Sequence, residues 1–278
     1  MATPDSRLIS PRFPRSGKYN PDWVIANSFG GPVLWLTEWL TDSLDLRPGM
    51  RVLDLGCGRC VSSVYLAREF GVQVWGADLW VAANENLHRV KEAGLGDQIF
   101  PLHCDARSLP FGGGFFDAII CVDAFSYFGT DSLYLNYLAH FVREGGQIAI
   151  AGAGLLKEFE QKVPEHLRQI WTQDFWCIHS ADWWRRLWEP TGIVAIEVSD
   201  AMTDGGQVWV DWQSTAYPSN REELEAIRAD AGRNLGYVRQ IGRRQKNIEL
   251  AAYCFPDTLR TMLPEQLISH PVLRTAES

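Results

Sequence analysis

Apolar residues recur along this chain with two different periods. Val33, Leu34, Leu36, Trp39, Leu40 and Leu44 fall at helical spacing, between Gly30-Gly31-Pro32 and Arg47-Pro48-Gly49, which break the pattern on either side. Pro21 can occupy the first position of a shorter helix upstream. From residue 50 onward the period changes. Short apolar runs at 51–55, 73–77, 98–102, 116–122 and 146–151 alternate with amphipathic stretches near 60–70, 81–94 and 131–142. That alternation is the pattern of right-handed βαβ units and predicts an α/β fold with a mostly parallel sheet.

The rhythm breaks after the fifth run. Residues 155–180 hold Trp171, Phe175, Trp176 and His179 without strand punctuation and read as an inserted helical segment or lid. A unit then resumes with a helix at 181–189, a strand at 193–198, a charged helix at 221–231 and a strand at 235–241, the last weakened by Gly236 and Gly242. Pro4, Pro11, Pro14 and Gly17 mark a loose N-terminal arm. The expected divisions are an arm and helical cap over 1–46, an α/β domain over 47–245 with its lid insertion at 155–180, and a C-terminal extension over 246–278. No internal repeat interrupts them.

Composition narrows the class of partner. A chain of 278 residues suits one open α/β domain with appendages. Its net charge of −8 opposes a standing footprint for nucleic acid or an anionic bilayer, since both are held by clusters of Lys and Arg. The densest basic group, Arg239, Arg243, Arg244 and Lys246, reads as a solvated strand edge. No apolar run approaches membrane-spanning length, and the first residues lack the apolar region of a secretory signal, so a cytoplasmic location is expected. Cysteines at 57, 60, 104, 121, 177 and 254 form no disulfide framework.

Arg51-Val-Leu-Asp-Leu-Gly-Cys-Gly-Arg-Cys60 carries the strongest chemical signal, because an apolar strand runs into an acidic residue and then into two glycines. Gly56 and Gly58 allow a ligand to lie against the main chain where the next helix begins. Asp78 ends the second strand about 20 residues later, where α/β nucleotide sites place a carboxylate for ribose hydroxyls. A dinucleotide would call for a third glycine, and Val61 stands there. A ligand that meets the first turn through an amino acid moiety has no such need. Cys57-Gly-Arg-Cys60 also has the placement of a thioredoxin-like redox pair, but such a pair has no use for Asp54, Gly56 or the later acidic strand end.

Val52-Leu-Asp-Leu-Gly-Cys-Gly58, Asp78, Asp105-Ala106 and Phe116-Asp-Ala-Ile-Ile-Cys-Val122 together resemble the ordered motifs of class I S-adenosylmethionine-dependent methyltransferases. The resemblance covers roughly 33–245 and implies a Rossmann-like, seven-stranded, mostly parallel sheet with an N-terminal helical cap. It further implies that Asp54 and Gly56, with Cys57 and Gly58 in the same turn, lie beside the methionine portion. Asp78 with Leu79 would hold the ribose, Asp105 with Ala106 would meet the adenine, and Val122 with Asp123 would line the sulfonium pocket. Tyr19 joins this cofactor set from the arm. Cys60 departs from the glycine or small residue usual in the family.

Asp123-Ala-Phe-Ser-Tyr-Phe-Gly129 and His179-Ser-Ala-Asp-Trp-Trp-Arg185 are similar to segments of cyclopropane-synthase-related small-molecule methyltransferases. The lipid substrate does not carry over, because the chain shows no basic amphipathic surface. The function implied is methyl transfer from S-adenosylmethionine to a small-molecule acceptor. Asp123, Tyr127 and His179 are the candidates for holding or deprotonating that acceptor, with Tyr19 and Trp23 beside them. His179 titrates in the useful range, yet next to Trp176 and Trp183 it equally fits a structural role. Tyr127 is better placed to orient than to deprotonate. The 12 Trp, concentrated in part at 171–188, suggest an aromatic or planar acceptor, and the same segment could instead be an interface in a homodimer. No metal is implied. A methyltransferase of tRNA or protein, and a cofactor-binding scaffold without catalysis, stay open, although Val122-Asp-Ala-Phe125 replaces the Asp/Asn-Pro-Pro-Tyr/Phe grip of one nucleic-acid class.

Overall fold

A computed structural model describes residues 6–251. The expected C-terminal extension lies outside the described residues beyond 251, as do Pro4 and Cys254. After two 3-10 turns, Ser6–Leu8 and Ser16–Lys18, comes helix α1 (Pro21–Asn27), which Asn20 caps by accepting from the backbone N–H groups of Asp22 and Trp23. Helix α2 (Val33–Thr41) follows, shorter than its apolar spacing suggested. Then come β1 (Arg51–Leu55), α3 (Val61–Phe70), β2 (Gln73–Asp78), α4 (Ala83–Glu92), β3 (Ile99–His103), β4 (Phe116–Val122), α5 (Tyr134–Phe141) and β5 (Val142–Leu155). The last third holds α6 (Ala181–Trp188), β6 (Val194–Ala201), α7 (Gly205–Ala216), α8 (Arg221–Asp230) and β7 (Leu235–Arg244).

The seven strands form one sheet in the order β3-β2-β1-β4-β5-β7-β6. β3, β2, β1, β4 and β5 run parallel, whereas β7 lies antiparallel between β5 and β6. Strand order therefore reverses at β1 and β4, and in an open α/β sheet ligands bind outside the carboxyl ends of the strands at that switch. The central strands β1 and β4 are buried on both faces. Val52, Val74 and Ile120 enter one core cluster and Leu53, Ile119 and Ile148 the other, as the alternation of a pleated strand requires. Leu8, Phe13, Val24 and Leu36 of the N-terminal segment pack into the same cluster as α3 and α7.

Three expectations need correction. α7 was not foreseen, because Asp204-Gly205-Gly206 reads as a loop. β5 runs to Leu155, well past residue 151, since β7 continues to pair with it as far as Leu155–Leu235. Residues 156–180 contain no α-helix and carry two 3-10 turns, Glu165–Leu167 and Gln173–Phe175. The basic group on β7 is largely occupied within the fold. Arg239 grips Asp200 and stacks on Trp39, Arg243 reaches Glu197 and Asp45, and Arg244 donates to the carbonyl of Val142. No helix among the described residues is long and apolar enough to cross a membrane.

Candidate functional site

A cavity of about 400 Å³ opens beyond the carboxyl ends of the strands and reaches from Asp105, after β3, to Tyr237 of β7. Its floor begins at the turn after β1. Gly56 (φ +74°) and Gly58 (φ +52°) both take left-handed backbone, and a Cβ on Gly58 would stand 2.9 Å from the Phe29 ring. A side chain there would push the Phe29 ring, part of the roof formed by residues 28–31, out of its place. Cys60 is left-handed as well (φ +63°) and fully buried at the N-terminal end of α3. That geometry explains why a glycine suits this position, since a residue with a Cβ pays roughly 1–2 kcal/mol for it.

Asp78, Leu79, Asp105, Ala106, Val122, Asp123 and Tyr127 line the cavity together with Gly56, Cys57 and Gly58. Asp78 is held by three backbone donors, Gly58 on Oδ2 and Trp80 and Val81 on Oδ1. It thereby fastens the glycine turn to the end of β2. Asp105 is clamped by Arg107, whose guanidinium donates to both carboxylate oxygens at 3.0 and 2.8 Å and holds its pKa below the ordinary value. Cys57 and Cys60 lie with their sulfurs 3.8 Å apart, and the hydrogen bond between them, with burial, keeps the Cys57 thiol protonated. A redox pair needs the opposite shift.

Four sequence candidates, Asp54, Tyr19, Trp23 and His179, do not line the cavity. Asp54 has no exposed surface and does not line the cavity; it shares a strand face with Val52, under α3, and its Oδ2 accepts the hydroxyls of Ser62 and Ser63, each at 2.6 Å. Tyr19 is buried against Tyr65, and its hydroxyl donates to Glu69 at 3.3 Å. His179 stacks on Trp183 with ring centres 3.7 Å apart and meets Glu158 through Nδ1 at 3.2 Å, off the cavity wall. Its neighbours Asp174, Phe175 and Ile178 are the residues of that segment that do reach the cavity.

Glu223 and Tyr237, beyond the expected set, complete the β5–β7 side with Asp123 and Tyr127. Asp123 takes left-handed backbone (φ +56°), its Oδ1 accepts from the Ala153 N–H at 3.1 Å, and Oδ2 receives no N–H or O–H among the described residues. Burial and the nearby Glu223 raise its pKa. Glu223, in the first turn of α8, accepts from Trp209 Nε1 at 2.9 Å, Gln213 Nε2 at 3.0 Å and Asn220 Nδ2 at 2.7 Å, and burial raises its pKa too. Tyr237 stacks on Trp209, and its hydroxyl makes no hydrogen bond among the described residues. Tyr127, half exposed, is pushed up to about 12 by burial and by Asp123, so it stays a neutral phenol. Glu223 was hidden in Arg-Glu-Glu-Leu-Glu, which reads as a solvated helix face.

The roof is tied to α7. Trp212 Nε1 donates to the Gly30 carbonyl at 2.6 Å, and Tyr217 accepts from the Gly30 N–H while donating to the Ser28 carbonyl. Gly31 passes so close to Asp123 that a Cβ on it would stand 2.0 Å from Oδ2.

Residues 52–146 match a methyltransferase domain family. Among curated proteins, the chain is 30% identical over 171 residues to the methyltransferase GfsG of Streptomyces halstedii, covering 59% of this chain and 60% of that one. It is 28% identical over 116 residues to the 27-O-demethylrifamycin SV methyltransferase of Amycolatopsis mediterranei, covering 41% and 43% respectively. The chain thus spans less than two thirds of the length of either relative. Among solved structures, geranyl diphosphate C-methyltransferase from Streptomyces coelicolor A3(2) superposes with a TM-score of 0.60 at 21% identity, over 75% of this chain and 76% of that one. That likeness establishes the Rossmann-like fold with its seven-stranded sheet.

Proposed function

We propose, from a methyltransferase domain carried on the class I fold, that this chain transfers a methyl group from S-adenosylmethionine to a small-molecule acceptor. One observation carries the reading: a single cavity joins the Gly56–Gly58 turn, with the acidic strand ends Asp78 and Asp105, to an aromatic chamber lined by Phe175, Trp209 and Tyr237. Cofactor and acceptor would meet there without crossing bulk water.

The residues fit the cofactor. Left-handed Gly56 and Gly58 leave space that a Cβ would fill, and a cofactor carboxylate can approach their backbone. Asp78 uses three of its roughly four acceptor positions on backbone N–H groups, leaving capacity for a ribose hydroxyl. Asp105, with Ala106 beside it, lines the cavity and would accept from the adenine amino group, although Arg107 shares its oxygens. Asp54 holds the first turn of α3 through Ser62 and Ser63. S-adenosylmethionine, when bound, supplies a methyl group on a positively charged sulfur. Val122 and Asp123 would line the pocket for that charge, and the aromatic wall would keep water from competing with the acceptor. Residues 6–46 serve as a cap to the domain, and the five free cysteines among the described residues suit the reducing cytoplasm.

Calorimetry with S-adenosylmethionine and S-adenosylhomocysteine tests this reading. Both should bind, and Gly58→Val, which meets the Phe29 ring in a backbone region hostile to β-branched residues, should weaken both by about tenfold or more. Failure of the native chain to bind either one would overturn it.

A further inference from the structure

Asp123, Glu223 and Tyr237 arrive at the cavity from three separate elements, the ends of β4, α8 and β7. The register of β7 on β5 places Tyr237 opposite Ala153, whose N–H holds Asp123. The charge of Glu223 acts on Asp123, and both carboxylates act on Tyr237. The three form one cluster.

Its charge is one-sided. The cavity lining contributes three acidic groups on this side, Asp123, Asp174 and Glu223, and its two cations are engaged on the cofactor side. Arg59 lies over the Phe29 ring and donates to the Ala26 carbonyl, and Arg107 is spent on Asp105. A phosphorylated or carboxylated acceptor would meet like charge here.

The donor and acceptor count is equally specific. Glu223 uses three of its roughly four acceptor positions on the neutral donors Trp209, Gln213 and Asn220, so it is mostly satisfied without a cation. Asp123 Oδ2 offers one open acceptor, and Tyr237 offers one open O–H. A hydroxyl brings one donor and free lone pairs, which matches both. A protonated amine brings several donors and no acceptor, so it has nothing to receive the Tyr237 hydrogen.

We propose that the β5–β7 side of the cavity receives an uncharged, ring-bearing alcohol or phenol, its hydroxyl donating to Asp123 Oδ2 and accepting from Tyr237 Oη, with Glu223 as a positioning residue that keeps negative charge beside Asp123. The proposal rests on the methyltransferase reading. In the transfer, an O–C bond forms to the methyl as its S–C bond breaks, and that bond's electron pair stays on sulfur, leaving a neutral thioether. The hydroxyl proton passes to the Asp123 carboxylate, which becomes neutral. One positive and one negative charge vanish together, so the buried chamber is left with less charge than before.

Three probes with one ring system separate the alternatives: 2-naphthylmethanol, 2-naphthoate and 2-naphthylmethylammonium, titrated into the full chain saturated with S-adenosylhomocysteine. The alcohol should bind about tenfold more tightly than either charged probe, the worth of roughly one hydrogen bond to a charged group. Asp123→Asn should remove that preference, and because asparagine tolerates left-handed backbone the variant should fold. Tyr237→Phe should weaken the alcohol severalfold.

Alcohol binding should also fall as acidic pH protonates Asp123. The titratable groups facing Asp123 are Glu223, Tyr237, Tyr127 and Cys121; burial raises the pKa of the two phenols and the thiol, which leaves Glu223 as the other carboxylate acting on it. Glu223→Gln should therefore move the midpoint of this loss to lower pH. A charged probe binding as well as the alcohol, no binding of the alcohol, an indifferent Asp123→Asn, or an unmoved midpoint would each overturn the proposal. Failure of S-adenosylhomocysteine itself to bind would overturn the methyltransferase reading instead.

Discussion

Asp54 has one carboxylate oxygen served by Ser62 and Ser63 and one, Oδ1, with no hydrogen-bond partner, and it has no access to solvent. Burial favours the neutral form and raises its pKa from 3.8 to about 6. A carboxyl group that holds its proton more tightly when folded stabilises the fold at low pH. Its contribution is complete below 3.8 and is lost as pH rises through about 6. Urea denaturation of native protein and Asp54→Asn should therefore show their difference moving by about 2 kcal/mol in favour of the native chain between pH 7 and pH 4. A difference that does not vary with pH would rule out this account. The sequence made Asp54 conspicuous but left its direction unread. Alternation along β1 puts it on the face of Val52, against α3, where it holds the first turn of that helix through Ser62 and Ser63. Glu223 shows the converse, since its chemistry comes from Trp209, Gln213 and Asn220, none of which is adjacent to it in the chain.

α7 owes its position to contacts that only glycine permits. A Cβ on Gly206 would stand 2.5 Å from the Cα of Gly232 and 3.0 Å from its nitrogen, both backbone atoms that cannot swing aside. Gly206→Ala should push the helix off β7 and destabilise the protein by about 1–3 kcal/mol, the usual range for an overpacked contact. Because α7 carries Trp209 and Gln213, which hold Glu223, the same variant should loosen the aromatic side of the cavity. Denaturant titration, with near-ultraviolet circular dichroism reporting on the Trp209–Tyr237 stack, would check both effects, and an unchanged midpoint would refute them. The βα alternation from residue 50 to 151 was legible because the central parallel strands, buried on both faces, read as unbroken apolar runs. α7 was not, because a glycine pair chosen for close approach looks the same in sequence as one chosen for a turn. The segment 156–180 has no regular period to read, as it is built from 3-10 turns and aromatic contacts such as Phe159 with Trp171 and Phe175 with Trp209.

At the scale of the whole molecule, residues near the start of the chain and residues near its end enclose one space. Asn27 to Val33 form the roof, while Trp209, Glu223 and Tyr237 form a wall nearly two hundred positions later. A ligand filling that space stabilises both regions together. S-adenosylhomocysteine at a hundred times its dissociation constant should add about 2.7 kcal/mol, which for a chain of this size corresponds to a thermal midpoint raised by about 5–10 °C. Trp212→Phe, which deletes the donor to the Gly30 carbonyl, should reduce that rise, and an undiminished rise would show that the tie is not needed. The roof has a second property. Phe29 rests on Gly58 of the cofactor turn, and two residues later Gly31 rests on Asp123. Whatever lifts or settles this short strap for one substrate does so for the other, so the two binding equilibria are thermodynamically linked. Titrating an acceptor before or after S-adenosylhomocysteine should change each affinity by the same factor, and a Gly31→Ala chain, with its strap forced off Asp123, should bring that factor toward one.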